Sequence, residues 1–345
     1  MNEKRVVQWD NLKFFLIFLV VLGHICEIIL YNSNGNLENI KKLRFFIYSF
    51  HMPLFLFVSG MFSKKNINNK RYYNIFYYLV IYIFMKIIFF IFNIFIDKTY
   101  SISIFEESGA PWYIFTLFIF SIITIFFKDL DKKYVFIFSI IIGCMVGYDK
   151  EISDFLCLSR IFVFYPFFYL GYILDGNKVI KFFEKKKIRI IYIIILLFSM
   201  FIVCHYINQI YWLSPLLAGR NPYYDLGKYE IYGGILRLGL YLISFILSIS
   251  IMGIIFIFRK NTFFTKCGSR TLQIYVFHWL IIKILFFKGF NIQIWMKEIL
   301  PNHYNFLIIL IALIITMLLS FKFIEKPFLI IRKFAVPEFN NNNIK

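Results

Sequence analysis

Charge is scarce in this chain. Asp, Glu, Lys and Arg make up 17% of its 345 residues, and acidic side chains number only 19. With 60% of residues apolar, a soluble domain is excluded, because it has no way to hide that much apolar surface. Cysteine is thin as well. Cys26, Cys144, Cys157, Cys204 and Cys267 are scattered, odd in number and without a C-x-x-C pair, so neither a disulfide framework nor a zinc site is indicated. The five histidines fall in no H-x-x-x-H or H-E-x-x-H spacing, and no metal is expected. There is no P-loop, no Rossmann glycine pattern and no internal repeat.

What is present is apolar and aromatic sequence in long runs: 22% aromatic residues and a mean hydropathy of +0.72. These runs identify a multi-spanning membrane protein. Ten segments are expected to cross as helices: Leu12–Tyr31, Leu43–Phe62, Ile75–Ile96, Pro111–Phe127, Tyr134–Tyr148, Leu156–Leu174, Ile188–Tyr206, Ile235–Phe258, Thr271–Gly289 and Phe306–Ile324. The fold class is thus all-α and integral to the membrane. One polytopic domain spans residues 1–345, with a helical core over about 12–324 and a cytoplasmic tail over 325–345. The first run is too long for a signal-peptide core and has no small-residue cleavage site, so it is expected to stay as an anchor.

The formal net charge of +19 does not point to nucleic acid, because the basic residues sit in short clusters between apolar runs. That is how cytoplasmic loops face anionic lipid. Alternate loops together with the two ends carry about 23 basic residues, among them Lys64, Lys65, Lys70, Arg71 and the run from Lys178 to Arg189. The opposite loops carry about seven: Lys41, Lys42, Lys98, Lys150, Arg220, Lys228 and Lys297. Both termini are therefore expected in the cytoplasm.

The first segment breaks a membrane rule, since it carries Asp10, Lys13, His24 and Glu27. Ionisable groups at membrane depth are costly and usually face a protein interior, a cavity or one another. At about 100° per residue, the eleven steps from Lys13 to His24 return to one helix face, with Asp10 and Glu27 flanking it. The rise places His24 roughly 16 Å deeper than Lys13. Further along, the second segment holds His51 and Pro53, and that proline is expected to kink the helix and free backbone groups. The sixth segment carries Arg160, and the ninth carries Tyr275 and His278 at i, i+3. His205 and His303 fall at helix ends or in loops, where they are expected to be solvated. The loop 207–234 is rich in aromatic and hydrogen-bonding residues, which suits a sugar-binding surface and an interfacial belt equally.

A polar interior built from His24, His51, His278 and Arg160 serves two kinds of protein. One is a transporter or glycolipid flippase with a polar intramembrane pathway. The other is an enzyme using histidine as base or nucleophile on a membrane-crossing substrate. These observations leave both open.

Six short blocks, in order, carry a resemblance. They are Asp10-Asn11-Leu12-Lys13 with Val20-Val21-Leu22-Gly23-His24; Phe50-His51-Met52-Pro53-Leu54-Phe55 with Ser59-Gly60; Pro111-Trp112-Tyr113; Arg160 to Phe168 with Gly171-Tyr172; Tyr275-Val276-Phe277-His278; and Glu325-Lys326-Pro327. Together they resemble the acyltransferase 3 family of membrane O-acyltransferases, over nearly the whole chain, and the Arg160 block resembles its fucose 4-O-acetylase-like branch. The resemblance implies a ten-helix acyltransferase domain of the bacterial plasma membrane. It would move an acetyl group from cytoplasmic acetyl-CoA to a hydroxyl of an extracytoplasmic cell-surface polysaccharide or lipid-linked glycan.

On that reading Lys13, Lys64, Lys65, Lys70 and Arg71 meet the CoA phosphates. His24 either deprotonates the acceptor hydroxyl or takes the acetyl group itself, oriented by Glu27 or Asp10. Arg160 or His51 stabilises the oxyanion. Trp112, Tyr275, His278 and Glu325 are supporting or substrate-facing candidates; for Trp112 an interfacial anchor, and for Glu325 a helix-end contact, serve equally well. The chain departs from many family members in one respect: it has Lys13 where they have Arg, which keeps the charge but loses the bidentate fork. No fused esterase-like domain is evident, so direct transfer to the acceptor or to a partner protein is expected.

Overall fold

In the computed structural model, residues 6–35, 37–96, 106, 109–184, 189–287, 292–293 and 304–336 are described. Lys4, Arg5, Lys98, Lys185, Lys186, Lys187, Lys297, Lys345 and His303 lie outside them. Among the described residues the architecture is helical, without a named strand; an isolated bridge pairs Glu106 with Phe155. In chain order the helices are α1 (Val7–Asn32), α2 (Glu38–Tyr48), α3 (His51–Asn68), α4 (Tyr72–Ile96), α5 (Trp112–Phe127), α6 (Lys132–Met145), α7 (Leu158–Ile173) and α8 (Gly176–Phe183). There follow α9 (Arg189–Ile210), α10 (Ser214–Leu217), α11 (Gly233–Ile255), α12 (Phe263–Gly268), α13 (Thr271–Phe287), α14 (Tyr304–Leu319) and α15 (Lys326–Ala335).

Among the described residues, the ten apolar segments lie mainly on helix. Five stretches are long and apolar enough to cross a membrane alone: Val7–Asn32, Glu38–Asn68, Tyr72–Phe95, Arg189–Leu217 and Tyr223–Ile255. Tyr304–Leu319 taken with Lys322–Ala335 would make a sixth. Trp112–Phe127, Leu158–Ile173 and Thr271–Phe286 are apolar but shorter. The fifth expected segment is shorter still. α6 has 14 residues, about 21 Å of helix, against the ~30 Å of a hydrocarbon core. Its start is fixed by Asp131, whose carboxylate accepts from the Lys133 backbone N–H at 2.8 Å. Much of the outer surface is apolar. In the Tyr72–Phe95 and Arg189–Leu217 stretches only 17% of the most apolar window is buried, as suits helices whose outer face meets lipid.

The chain divides into two compact units: Met1–Phe55, Asn177–Ser214 and Ile243–Ile324 form one, and Leu56–Gly176, Pro215–Leu242 and Glu325–Lys345 the other. In the first unit α1 is the central helix. It is apolar nearly all round, and Leu12, Leu16, Ile17, Val21, Ile25 and Ile29 are fully buried against α2, α12, α13 and α14. Asn11 fixes its start by donating to the Phe258 carbonyl at 2.9 Å and accepting from the Thr265 hydroxyl at 2.6 Å.

The second apolar segment lies within the single stretch Glu38–Asn68 and is disturbed close to its proline, as expected. It breaks between α2 and α3 at Ser49 and Phe50, which puts Pro53 in the first turn of α3, where its missing N–H costs least. The Ser49 carbonyl, four residues before the proline, accepts instead from the Ser244 hydroxyl at 2.5 Å. The freed backbone group is thus satisfied by a side chain from α11.

In the second unit, a methyl group added at Gly60 would collide with the Phe168 carbonyl, and one added at Gly171 with the Phe57 carbonyl. Helices α3 and α7 therefore cross with their backbones in contact, as small residues allow inside membranes. Ser59 and Tyr113 hydroxyls share a hydrogen bond of 2.7 Å beside this crossing.

Candidate functional site

The polar residues of α1 resolve into two pairs, a lysine–carboxylate ion pair and a histidine–carboxylate hydrogen bond. At the start of the helix Lys13 Nζ lies 2.7 Å from Asp10 Oδ1. Toward its other end His24 Nδ1 lies 3.3 Å from Glu27 Oε2. Between them the same face carries Leu16, Ile17 and Val20, all at most 2% exposed.

The His24 end is the more elaborate. A carboxylate oxygen only accepts, so His24 Nδ1 carries the proton toward Glu27, and Nε2 of the neutral ring is left with a lone pair. Glu27 is held from α2 as well. The Tyr48 hydroxyl donates to Oε2 at 3.0 Å, and the Arg44 guanidinium reaches Oε1 at 3.4 Å. Arg44 also lies 4.4 Å over the Tyr48 ring, a cation–π contact. From α13, His278 stands 5.3 Å and Trp279 5.0 Å from the His24 ring, centroid to centroid.

His278 is fully buried. Its Nδ1 donates to the Tyr275 carbonyl at 2.7 Å and the Ile274 carbonyl at 3.2 Å, which leaves Nε2 an acceptor with no hydrogen-bond partner. Tyr275 packs against it at 5.6 Å. His51 has the same self-bonded form, with Nδ1 donating to the Ile47 carbonyl at 2.8 Å and its ring 4.9 Å from Tyr48. His24, Glu27, His51, Tyr275 and His278 all belong to the first unit.

Arg160 and Trp112 lie in the second unit and meet each other there. The Arg160 guanidinium sits 5.0 Å over the Trp112 indole, which stacks on Phe164 at 5.5 Å. Asp154 lies 3.7 Å from Arg160 and 3.2 Å from Arg220. The turn just before α7 holds Leu156 and Cys157 at φ of 46° and 57°, a left-handed conformation that costs a non-glycine residue about 1–3 kcal/mol. Asp154 also lines a cleft of about 720 Å³ with Glu106, Asp149, Glu151 and Ser153.

The remaining candidates are spread out. Lys64 donates to the Leu174 carbonyl at 3.2 Å; Lys65 is near the end of α3, and Lys70 and Arg71 form the turn that follows it, with Lys70 at a φ of 53°. All four belong to the second unit, whereas Lys13 belongs to the first. Glu325 ends a 3-10 turn before α15. His205 is exposed on α9. Among the described residues no three His, Cys, Asp or Glu side chains converge as metal ligands would.

A family model described as an acyltransferase domain, acyltransferase 3, matches residues 6–321. The chain belongs to that family. Among curated proteins it is similar to the nodulation protein NolL of Sinorhizobium fredii (strain NBRC 101917 / NGR234), 37% identical over 65 residues. That stretch is 19% of this chain and 18% of the length of NolL. No solved structure matches.

Two residues of this acyltransferase domain escape a reading of the sequence alone, Arg44 and Tyr48. Their signal is nonetheless present. Arg44, Tyr48 and His51 follow at i, i+4 and i+7, the spacing of one helical face, and Arg44 opens an otherwise apolar run.

Proposed function

We propose that the chain is an integral membrane O-acetyltransferase of the bacterial plasma membrane, one polytopic domain with ten crossings and both termini in the cytoplasm. It takes acetyl from cytoplasmic acetyl-CoA and passes it to a hydroxyl of an extracytoplasmic surface polysaccharide or lipid-linked glycan. The observation that carries this reading is the His24–Glu27 pair within an acyltransferase domain: an imidazole whose Nδ1–H is held by a carboxylate and whose Nε2 keeps its lone pair.

In direct transfer, Nε2 of His24 takes the acceptor hydroxyl proton as the oxygen attacks the thioester carbonyl. The carbon–sulfur bond then breaks, the ester carbon–oxygen bond remains, and the imidazolium returns its proton to the CoA thiolate. In the covalent variant Nε2 attacks the thioester carbonyl, and the carbon–sulfur bond breaks to release the CoA thiolate. The acceptor oxygen then attacks the acetyl-imidazolium carbonyl, the carbon–nitrogen bond breaks to restore the neutral ring, and the hydroxyl proton goes to the thiolate. Lys13, Lys64, Lys65, Lys70 and Arg71 supply charge for the CoA phosphates. Stabilising the oxyanion falls to Arg160 or His51; for His51 that would take a proton at Nε2, since Nδ1 donates to the Ile47 carbonyl. Asp154 and Arg220 beside Arg160 offer charged hydrogen-bonding groups for an acceptor sugar, while the buried Trp112 ring, already covered by the Arg160 guanidinium and Phe164, supports Arg160.

The test is mass spectrometry of surface glycans from strains with and without the gene, with CoA release from acetyl-CoA by purified protein. His24→Ala should abolish both with expression unchanged. Unaltered glycan acetylation in the deletion strain, with altered export or uptake, would replace the transferase by a transporter.

A further inference from the structure

Glu27 has three rotatable side-chain bonds and its side chain is 44% exposed, so packing alone does not fix its orientation. Arg44 reaches it from another helix and is itself 12% exposed, fixed over the Tyr48 ring. The three contacts divide the carboxylate between its oxygens. Oε1 faces Arg44, while Oε2 takes both the Tyr48 hydroxyl and His24 Nδ1. Arg44 and Tyr48 stand four residues apart on one face of α2, and the helix opposite makes room for them. A methyl group at Gly23 would come within 3.0 Å of Tyr48 Cε2, so the glycine beside His24 is what lets the Tyr48 ring lie against α1. A guanidinium is charged at every working pH and presents a rigid fork, which suits it to holding a carboxylate in one orientation.

We propose that Arg44, with Tyr48, is a positioning residue of the transferase, pinning Glu27 so that His24 presents Nε2 to the acyl group in a single orientation. This rests on the reading of His24 given above. The other groups around His24 leave that task to this clamp. His278 and His51 spend their Nδ1 protons on backbone carbonyls, and Trp279 contributes only a ring face.

The experiment uses the full-length protein in lipid nanodiscs, with CoA release from acetyl-CoA measured in the presence of a glycan extract of the producing strain. Arg44→Gln should lower kcat about tenfold to a hundredfold, the scale of a misplaced catalytic group, and leave KM for acetyl-CoA within about twofold. Arg44→Lys, which keeps the charge and loses the fork, should recover only part of the loss. In a Glu27→Gln background, Arg44→Gln should cost nothing further, since both act through one contact. Gly23→Ala, which keeps every charge and only displaces the Tyr48 ring, should lower kcat by a smaller factor; it carries the test if Arg44→Gln does not fold. A rise in KM with kcat intact, or losses from Arg44→Gln and Glu27→Gln that multiply, would overturn the proposal. Full activity in His24→Ala would instead remove the transferase reading itself, so the two failures are separable.

Discussion

At the scale of single residues, the proposed chemistry turns on which imidazole nitrogen holds a proton. His24, His51 and His278 each commit Nδ1–H to an acceptor, a carboxylate for the first and helix carbonyls for the others. Only His24 has its acceptor on a side chain that other residues can steer. Removing it is expected to cost about 10²–10⁴-fold in kcat, the usual contribution of a positioned acid–base group. His278 poses a different question, because its buried Nε2 has no partner, and an orphaned acceptor costs about 1–3 kcal/mol. His278→Phe removes that orphan at similar size. It should keep or raise the melting temperature in detergent while cutting CoA release at least about tenfold, as expected if the lone pair serves His24. A lower melting temperature with activity retained would make His278 a packing residue.

At the scale of elements, the sequence blocks find one another in space. Gly60 of the second block meets Phe168 of the fourth, Gly171 of the fourth meets Phe57 beside the second, and Ser59 bonds Tyr113 of the third. Arg160 lies over Trp112, and His278 faces His24. That the chain is helical along its apolar runs was legible because such runs leave little else for a backbone to do in lipid. The break at Ser49 was not, because Pro53 marks a disturbed turn without saying on which side the helix yields. Arg44 was missed because at the edge of a run it reads as loop charge, and only the fold shows that it turns inward onto Glu27.

Two outcomes follow for the helix crossings. Gly60→Ala or Gly171→Ala must push a methyl into a backbone carbonyl that cannot rotate away. Each should destabilise by at least the ~1–3 kcal/mol of an overpacked core, visible as a lower melting temperature in nanodiscs. Ser244→Ala should cost less, about 1 kcal/mol, because it removes one hydrogen bond to the Ser49 carbonyl and introduces no clash. If Ser244→Ala proves as damaging as the glycine variants, the Ser49 carbonyl has no other way to be satisfied and the break itself depends on that hydroxyl.

At the scale of the whole molecule, the unequal basic loops set the orientation we propose, and cysteine labelling can measure it. The native thiols favour the experiment. Cys26, Cys157 and Cys267 are buried, and burial pushes the Cys267 thiol above its ordinary range, where it reacts poorly with maleimides. Cys204 is exposed and is removed as Cys204→Ser, leaving Cys144, which is partly covered. Asn34 and Asn69 are exposed on the turns that follow α1 and α3. If α1 starts in the cytoplasm, Asn34→Cys reacts with a membrane-impermeant maleimide in intact cells, and Asn69→Cys reacts only after permeabilisation. On the proposed reading, that orientation would bring Lys64, Lys65, Lys70 and Arg71 to the cytoplasmic side, where the acetyl-CoA donor is proposed to enter. Labelling of both positions from one side would mean that the second apolar segment does not cross. The CoA role proposed for the Lys64–Arg71 loop would then fall, and the charge asymmetry would have to be counted again without that segment.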